Sequence, residues 1–369
     1  MNYILFFFFI LFIGLFPKQV QAQDLGFHTF LASEIIESSG IIYLDGKLIT
    51  HNDSGGEAAL YEIDSLNGSV LRTVYLSNAS NVDWEDLCFD QDYIYIGDFG
   101  NNGGNRTNLK VYRLSISDYL NTGNDSVSVD TLNFSYSNQV DFTLGSNHTN
   151  FDAEAMICLG DSLYIFSKNW LSNTCDIYAL SSTPGSYSIA KMDSFDSQGL
   201  ITGGDYNGSN NTILLCGYGP PIPFIIKLSN FSNGQFSNGL IQRSIVQVPS
   251  ASSVQIEAVA HKEADRYFLS SETSVFGTGS LFNLDVGSIV SIPNLSELSR
   301  VLFPNPTTSD LYIELEAREY LEVYSLSGQF IMRSSESSLN LNKMVSGNYF
   351  LLIKNEKKQV IHRQAFRLN

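Results

Sequence analysis

The chain has 369 residues, of which 43% are hydrophobic and only 16% charged, with a net charge of -17. That length suits one large domain plus a small one, because single hydrophobic cores stop growing near about 250 to 300 residues. The acidity excludes nucleic acid as a partner, since its binding rests on basic patches, and favours cations, metals or neutral ligands.

At the N-terminus, Ile4 to Phe16 is an almost unbroken apolar run, too short for a membrane-spanning helix, which needs roughly 20 residues. Val20-Gln21-Ala22 follows as a small-residue pattern at which signal peptidase cuts, so residues 1–22 read as a signal peptide. No Lys or Arg precedes the run, and an uncleaved anchor is the alternative. No Cys lies near the cut, which argues against a lipid-anchored lipoprotein.

Between Gln23 and Arg300 helical periodicity is nearly absent, and short alternating apolar runs separated by Gly, Asn, Asp and Ser point to an all-β domain. The runs recur in one order. Ser39-Gly40 leads into Ile41-Ile42-Tyr43, a turn at Asp45-Gly46, a strand Leu48-Ile49-Thr50 ending at Asp53, and a strand Leu60 to Asp64. Trp84-Glu85-Asp86-Leu87, Asp152-Ala153-Glu154-Ala155, Thr202-Gly203-Gly204-Asp205 and Gln255-Ile256-Glu257-Ala258 each open a similar series. A period of roughly 45 to 70 residues holding about four strands is what a propeller blade requires. Residues 23–288 are therefore expected to form a five- or six-bladed β-propeller. The sixth unit would be assembled from Phe27 to Leu31 and leftovers such as Ile289 to Ile292. Ser115 to Thr149 reads as an outer strand, near Val129 to Phe134, plus a surface insertion. A jelly roll or stacked sandwiches are the alternatives.

Propeller geometry turns the repeat into a prediction about side chains. Neighbouring strands of a blade run antiparallel, so the start of the innermost strand and the end of the second lie on one rim. Glu85, Glu154, Asp205 and Glu257 occupy the first position. Asp53, Asp98 and Glu272 occupy the second, with Ser167-Lys168-Asn169 there in unit three. Carboxylates gathered around one axis raise one another's pKa unless something positive compensates. Calcium is the economical answer, since it takes about six to eight oxygen ligands. Two competing readings remain: internal ion pairs from Lys168 and Arg106, and acids that merely cap their own turns.

Four cysteines, Cys88, Cys158, Cys175 and Cys216, contain no CxxC pair, against a zinc site. Each sits in an apolar strand-like run, so buried free thiols are expected in preference to disulfides. There is no Gly-x-Ser-x-Gly elbow, and the five His residues form no HExxH spacing. His51 beside Asp53 and His148 before Asp152 are the candidate bases at the rim, with turn hydrogen bonding as the plainer role.

His51-Asn52-Asp53-Ser54-Gly55, Asp83-Trp84-Glu85-Asp86 and Ile96-Gly97-Asp98-Phe99-Gly100-Asn101-Asn102 with Arg106 resemble blocks of an exported bacterial propeller family without established activity. The large domain is also similar to proteins named esterase-like phytases and, more loosely, to calcium-dependent six-bladed propeller lactonases. The resemblance implies a propeller with an acidic mouth, and a hydrolase only by extension. Phosphate chemistry would want more cations than Lys168 and Arg106.

Residues 289–300 read as a linker and 301–369 as a second, small domain, an immunoglobulin-like β-sandwich. This segment holds eight Lys and Arg against seven Asp and Glu, so the large domain carries essentially all of the acid. Its Pro304-Asn305-Pro306 entry, a turn at Gly328, and Gly347-Asn348-Tyr349 before an apolar strand resemble the type A C-terminal sorting domain of the type IX secretion system. That resemblance implies export to the exterior or outer surface, recognition by the secretion machinery, removal by its surface protease and attachment to lipopolysaccharide. A small adhesive sandwich is the alternative. The combined expectation is a secreted propeller binding a divalent cation or cationic ligand at one mouth. A metal-dependent hydrolase and a surface interaction scaffold are the alternatives.

Overall fold

The computed structural model describes residues 21–219, 222–232, 234–247, 255–273, 278–286, 305–325, 330–356 and 360–368. The apolar leader, the linker 289–300, Pro304 and Gly328 lie outside the described residues.

Strands β1 (Gln21–Asp24) and β2 (Gly26–Phe30) precede the repeats, and β1 starts two residues inside the segment read as signal peptide. The first sheet is a meander of β3 (Ser38–Leu44), β4 (Lys47–Asn52), β5 (Ala59–Ile63) and β6 (Val70–Leu76). Its opening hairpin turns at Asp45 and Gly46, both at positive φ (49° and 78°), the left-handed pair that a two-residue turn between right-twisted strands demands.

The second unit runs β7 (Trp84–Phe89), β8 (Tyr93–Asp98), β9 (Lys110–Ser115), helix α1 (Ile116–Asn121), β10 (Ser126–Val127) and β11 (Asp130–Tyr136). The sequence pattern missed α1, a single short helix capped by the Ser115 hydroxyl, which accepts from the Asp118 amide. Only one apolar side chain, Tyr119, is buried from it, too few for a period to show. The third unit is β12 (Ala153–Leu159), β13 (Ser162–Ser167), β14 (Thr174–Ser181), β15 (Gly185–Ile189) and β16 (Lys191–Asp196). The fourth is β17 (Leu200–Asn207), β18 (Thr212–Gly219), β19 (Ile222–Ser229) and β20 (Leu240–Gln247), and the fifth β21 (Ile256–Glu263), β22 (Arg266–Ser271) and β23 (Ser280–Asp285).

Outer edges are covered by borrowed strands. β10 adds in parallel to β6, β15 to β11 and β1 to β20, which satisfies backbone groups that an open edge would leave unpaired. β2 pairs antiparallel with β23, so Phe27 to Phe30 complete the fifth sheet and do not start a sixth unit. A three-stranded fifth sheet presents an edge that the N-terminal strand fills.

The sheets close on one another through their cores. Ile42 and Leu60 of the first sheet pack with Trp84 and Tyr112 of the second. Tyr95 and Val111 meet Met156 and Tyr178, Ile157 and Phe166 meet Ile213 and Phe224, and Leu214 and Ile225 meet Leu269 and Phe282. Ala258 and Phe268 then meet Ile41 and Leu48, which returns to the start. The first strands follow the same cycle: β3 lies against β7, β7 against β12, β12 against β17, β17 against β21, and β21 against β3. This is a β-propeller, and it explains why both faces of the first strands are apolar: each is flanked by another sheet on either side.

The C-terminal unit comprises β24 (Asp310–Tyr312), β25 (Tyr320–Ser325), β26 (Phe330–Ser334), β27 (Ser338–Asn340), β28 (Gly347–Lys354) and β29 (Val360–Leu368). A four-stranded antiparallel sheet, β26-β25-β28-β29, and an antiparallel pair, β24-β27, share one apolar core of Leu311, Ile313, Val323, Leu339, Leu351 and Phe366. No helix among the described residues is long and apolar enough to cross a membrane.

Candidate metal centre at the channel mouth

Each first strand carries a register irregularity near its start. It falls between Ser38 and Ile41, Trp84 and Leu87, Ala153 and Ala155, Ile201 and Gly203, and Ile256 and Ala258. A β-bulge bends the strand and re-aims the extra side chain. The residues at the bulges are Ser39-Gly40, Glu85-Asp86, Glu154, Thr202 and Glu257. The second strands end alongside, at Asp53, Asp98, Lys168-Asn169, Tyr218 and Glu272.

This corrects the alignment of the fourth unit. Its bulge position is Thr202, and Asp205 lies three residues further along β17. The Asp205 carboxylate accepts from the amides of Tyr206 and His261, and none of the mouth acids is among the groups acting on its pKa. The Gly-Gly pair hid the offset, because neither glycine marks a face.

Glu85, Glu154, Glu257, Asp53 and Glu272 do converge, joined by Asp83 and Asp152. Carboxylate oxygens of Asp53, Asp83 and Glu85 lie within 4.8 Å of one another, as do those of Glu85, Asp152 and Glu154. The repeat pattern does not single out Asp83 and Asp152, yet the sequence holds a signal for them. Each stands two residues before a bulge acid, immediately before the first residue of a first strand.

The electrostatics follow from burial and like charge. Burial, followed by the charges of Glu154, Asp53, Asp83 and Asp152, holds the Glu85 carboxyl well above the usual carboxylate range. Burial and then Asp83 push Asp53 up to about 7, although the Ser54 amide opposes this. Burial raises Asp83 to about 6 against the pull of Arg106. Glu257 rises to about 8, through burial first and Glu272 and Asp53 among the charges, with Lys168 opposing.

Internal cations answer part of this. Lys168 Nζ donates to both Glu154 oxygens, at 2.6 and 2.7 Å, and lies over the rings of Trp170 and Tyr218. Burial alone would lower its pKa, but Glu154, Tyr218 and Glu257 outweigh it and hold the ammonium charged. Arg106 bonds Asp98 at 2.7 Å and lies 3.9 Å from Asp83. Asp98 is thus committed to Arg106 and to the Asp83 amide, and its Oδ2 is buried without a hydrogen-bond partner.

The two carboxylate triads are not equivalent. Both oxygens of Asp152 are occupied, by the Asn101 amide at 2.6 Å and Trp170 Nε1 at 2.7 Å, and Glu154 holds Lys168. Asp53 and Asp83 are half-buried and open to solvent. Gly100 lies against Asp83 and Glu85: a Cβ there would come within 2.6 Å of Asp83 Oδ2 and would collide with Glu85 Oε1. The bare backbone keeps that space clear. Calcium–oxygen bonds of about 2.3–2.6 Å let one ion bridge oxygens up to roughly 5 Å apart, so the Asp53–Asp83–Glu85 set fits a hard cation in ligand type and spacing.

The histidines lie elsewhere. His51 is fully buried, its Nδ1 2.9 Å from the Asn52 carbonyl and its ring edge-on to Trp84 at 5.5 Å. Burial lowers its pKa to about 4, so it is a neutral packing group in the seam between the first two sheets and not a base at the rim. His148 is exposed on the loop between β11 and β12. Asp86 was also missed. It is completely buried, with Oδ1 accepting from the Leu87 amide and Oδ2 from Met156 at 2.8 Å and Gly204 at 3.1 Å, so one carboxylate ties three first strands together.

In the C-terminal unit, Asn305 accepts from the Arg367 amide and Thr307, next to Pro306, donates its amide to the Arg367 carbonyl at 2.8 Å. The entry motif is thereby sewn to the last strand. Gly347 opens β28 opposite Leu368, and Tyr349 stacks on Phe366 at 5.6 Å. Residues 301–365 match the family model of the secretion system C-terminal sorting domain. The chain carries a type IX export signal and is secreted or surface-attached. No curated protein matches it.

Solved structures similar to the chain include the PQQ-bound aldose sugar dehydrogenase of Streptomyces coelicolor (10% identity, TM-score 0.40, covering 71% of this chain and 97% of that one). A member of the DUF4221 family from Bacteroides vulgatus is similar at 11% identity and TM-score 0.35, covering 95% and 86%. The β-xylosidase/α-arabinofuranosidase CoXyl43, from a compost microbial metagenome, is similar at 9% and 0.43, covering 70% and 94%. Likeness at this level decides no activity.

Proposed function

We propose that the protein is an exported five-bladed propeller that captures a divalent cation, calcium by ligand chemistry, at Asp53, Asp83 and Glu85 on its channel mouth. The observation that carries this reading is that these three carboxylates lie within 4.8 Å of one another, that the charges raising Glu85 are all carboxylates, and that Lys168 is engaged by Glu154. Ionised together without a cation, they repel; with one, each oxygen gains a ligand bond. Residues 1–22 act in this reading as a cleaved signal peptide, the C-terminal sheets as a small sandwich, and the mature propeller stays soluble or attached to surface lipopolysaccharide.

Calorimetric titration of chelator-treated protein with calcium tests it. Saturable one-site binding that disappears in Glu85→Gln supports the reading, and no heat together with an unchanged melting temperature overturns it.

A metal-dependent hydrolase is favoured by one observation: Glu257, outside the cation set, has its carboxyl pushed up to about 8 by burial, in the range where proton transfer at neutral pH is efficient. Turnover of ester, lactone or phosphoester substrates that requires calcium and is lost in Glu257→Gln distinguishes it from simple binding.

A further inference from the structure

Cys88 and Cys158 sit near the ends of β7 and β12 that lie away from the acidic mouth, in the seam between the second and third sheets. Their Sγ atoms are 2.8 Å apart. Carbon atoms pack best at about 3.5–4.0 Å, and sulfur is larger. A disulfide has an S–S distance of about 2.05 Å, so an approach of under about 1 Å makes the bond. The other two thiols have no such neighbour: Cys175 reaches the Asp176 carbonyl at 3.8 Å and Cys216 the Thr202 hydroxyl at 3.7 Å. Cys158 is half-buried and open to a reagent, whereas Cys88 behind it is buried.

We propose that Cys88 and Cys158 are joined as a disulfide in the exported protein, a covalent staple between the second and third sheets. Export passes the chain through oxidising surroundings, where disulfides form and persist. The step is thiol–disulfide exchange with a disulfide oxidant of the cell envelope. The Cys158 thiolate, its proton lost to solvent, attacks one sulfur of the oxidant and expels the other as thiolate. The Cys88 thiolate then attacks Cys158 Sγ and expels the second. Two protein thiols are oxidised and one oxidant disulfide is reduced to two thiols. Burial raises both thiols, which makes the exchange slow at neutral pH and faster in alkali.

The bond closes a loop spanning 70 residues of chain, long enough to remove much freedom from the unfolded state. It also clamps the strands that carry Glu85 and Glu154, two residues beyond the point where Asp86 on β7 already holds the Met156 amide on β12.

Alkylation of denatured secreted protein, followed by mass spectrometry, counts the thiols. Without reductant two cysteines alkylate, Cys175 and Cys216, and with reductant all four do. Non-reducing peptide maps show Cys88 linked to Cys158. Cys88→Ala and Cys158→Ala each leave three alkylatable thiols without reductant. Full-length protein oxidised with glutathione disulfide melts several degrees above its reduced form, and the difference vanishes in either variant. Four alkylatable thiols without reductant, or a linkage to any other cysteine, overturns the proposal, and the wild-type count stands whether or not the variants fold.

Discussion

The Asp86 carboxylate accepts a hydrogen bond from the Gly204 amide at 3.1 Å, although the two residues are 118 positions apart and on sheets that do not adjoin. The same oxygen takes the Met156 amide, and its partner oxygen takes that of Leu87. Burial pushes this carboxyl well above its usual range, with the three amides opposing. Asp86→Ala strands three buried donors at roughly 1–3 kcal/mol each, so unfolding in urea is expected to lose at least about 3 kcal/mol. A loss below about 1 kcal/mol shows that water replaces the carboxylate.

Lys168→Met leaves Glu154 buried beside acids with no counter-charge. Breaking such a pair costs about 3–5 kcal/mol, whereas replacing both partners is close to neutral. Denaturation of Lys168→Met, Glu154→Gln and the double variant is expected to show the double more stable than Lys168→Met alone. Strict additivity removes the pairing argument.

Gly100→Ala tests the clear space beside the candidate cation. Its Cβ meets Asp83 and Glu85 side chains, which have to move. Calcium affinity is expected to fall at least tenfold in calorimetry, about 1.4 kcal/mol, while Gly123→Ala, whose Cβ meets nothing, leaves binding unchanged. Equal affinities in both variants place the ion elsewhere.

Stability without metal is expected to fall as pH rises from about 6.5 to 8. Glu257 moves from 4.5 unfolded to about 8 folded and Asp53 from 3.8 to about 7, so in this window the native state holds the extra protons and loses them on alkalinisation. His51 has the opposite sign, being lowered from 6.5 to about 4, and its stabilisation is lost as pH falls below 6.5. Two raised carboxyls outweigh one lowered imidazole, so melting temperatures in chelator decline from about pH 5 to 8, and saturating calcium flattens the alkaline side. A chelated protein that gains stability from pH 6.5 to 8 contradicts the shifted carboxyls.

Deleting residues 301–369 is expected to strand the propeller in the periplasm, read by fractionation and immunoblot. Release of the truncated chain to the medium shows that the C-terminal unit is dispensable for export.

The sequence alone determined the all-β class, the recurring unit, the export signal, and the meeting of Glu85, Glu154, Glu257, Asp53 and Glu272 at one mouth. Local alternation and turn chemistry carry that information, and repetition converts it into geometry. Tertiary structure decided the rest. The true start of the fourth unit is set by a bulge, and a Thr-Gly-Gly run conceals a register offset of three residues that moves Asp205 off the mouth. His51 reads as a rim base until the neighbouring sheet covers it with Trp84. β2 joins the last sheet because a ring must close, a condition that involves both ends of the domain at once. Asp86 and the Cys88–Cys158 contact exist only where separate strands abut. Periodicity reports which face a residue shares within its own strand, whereas these features depend on which strands a closed ring brings side by side.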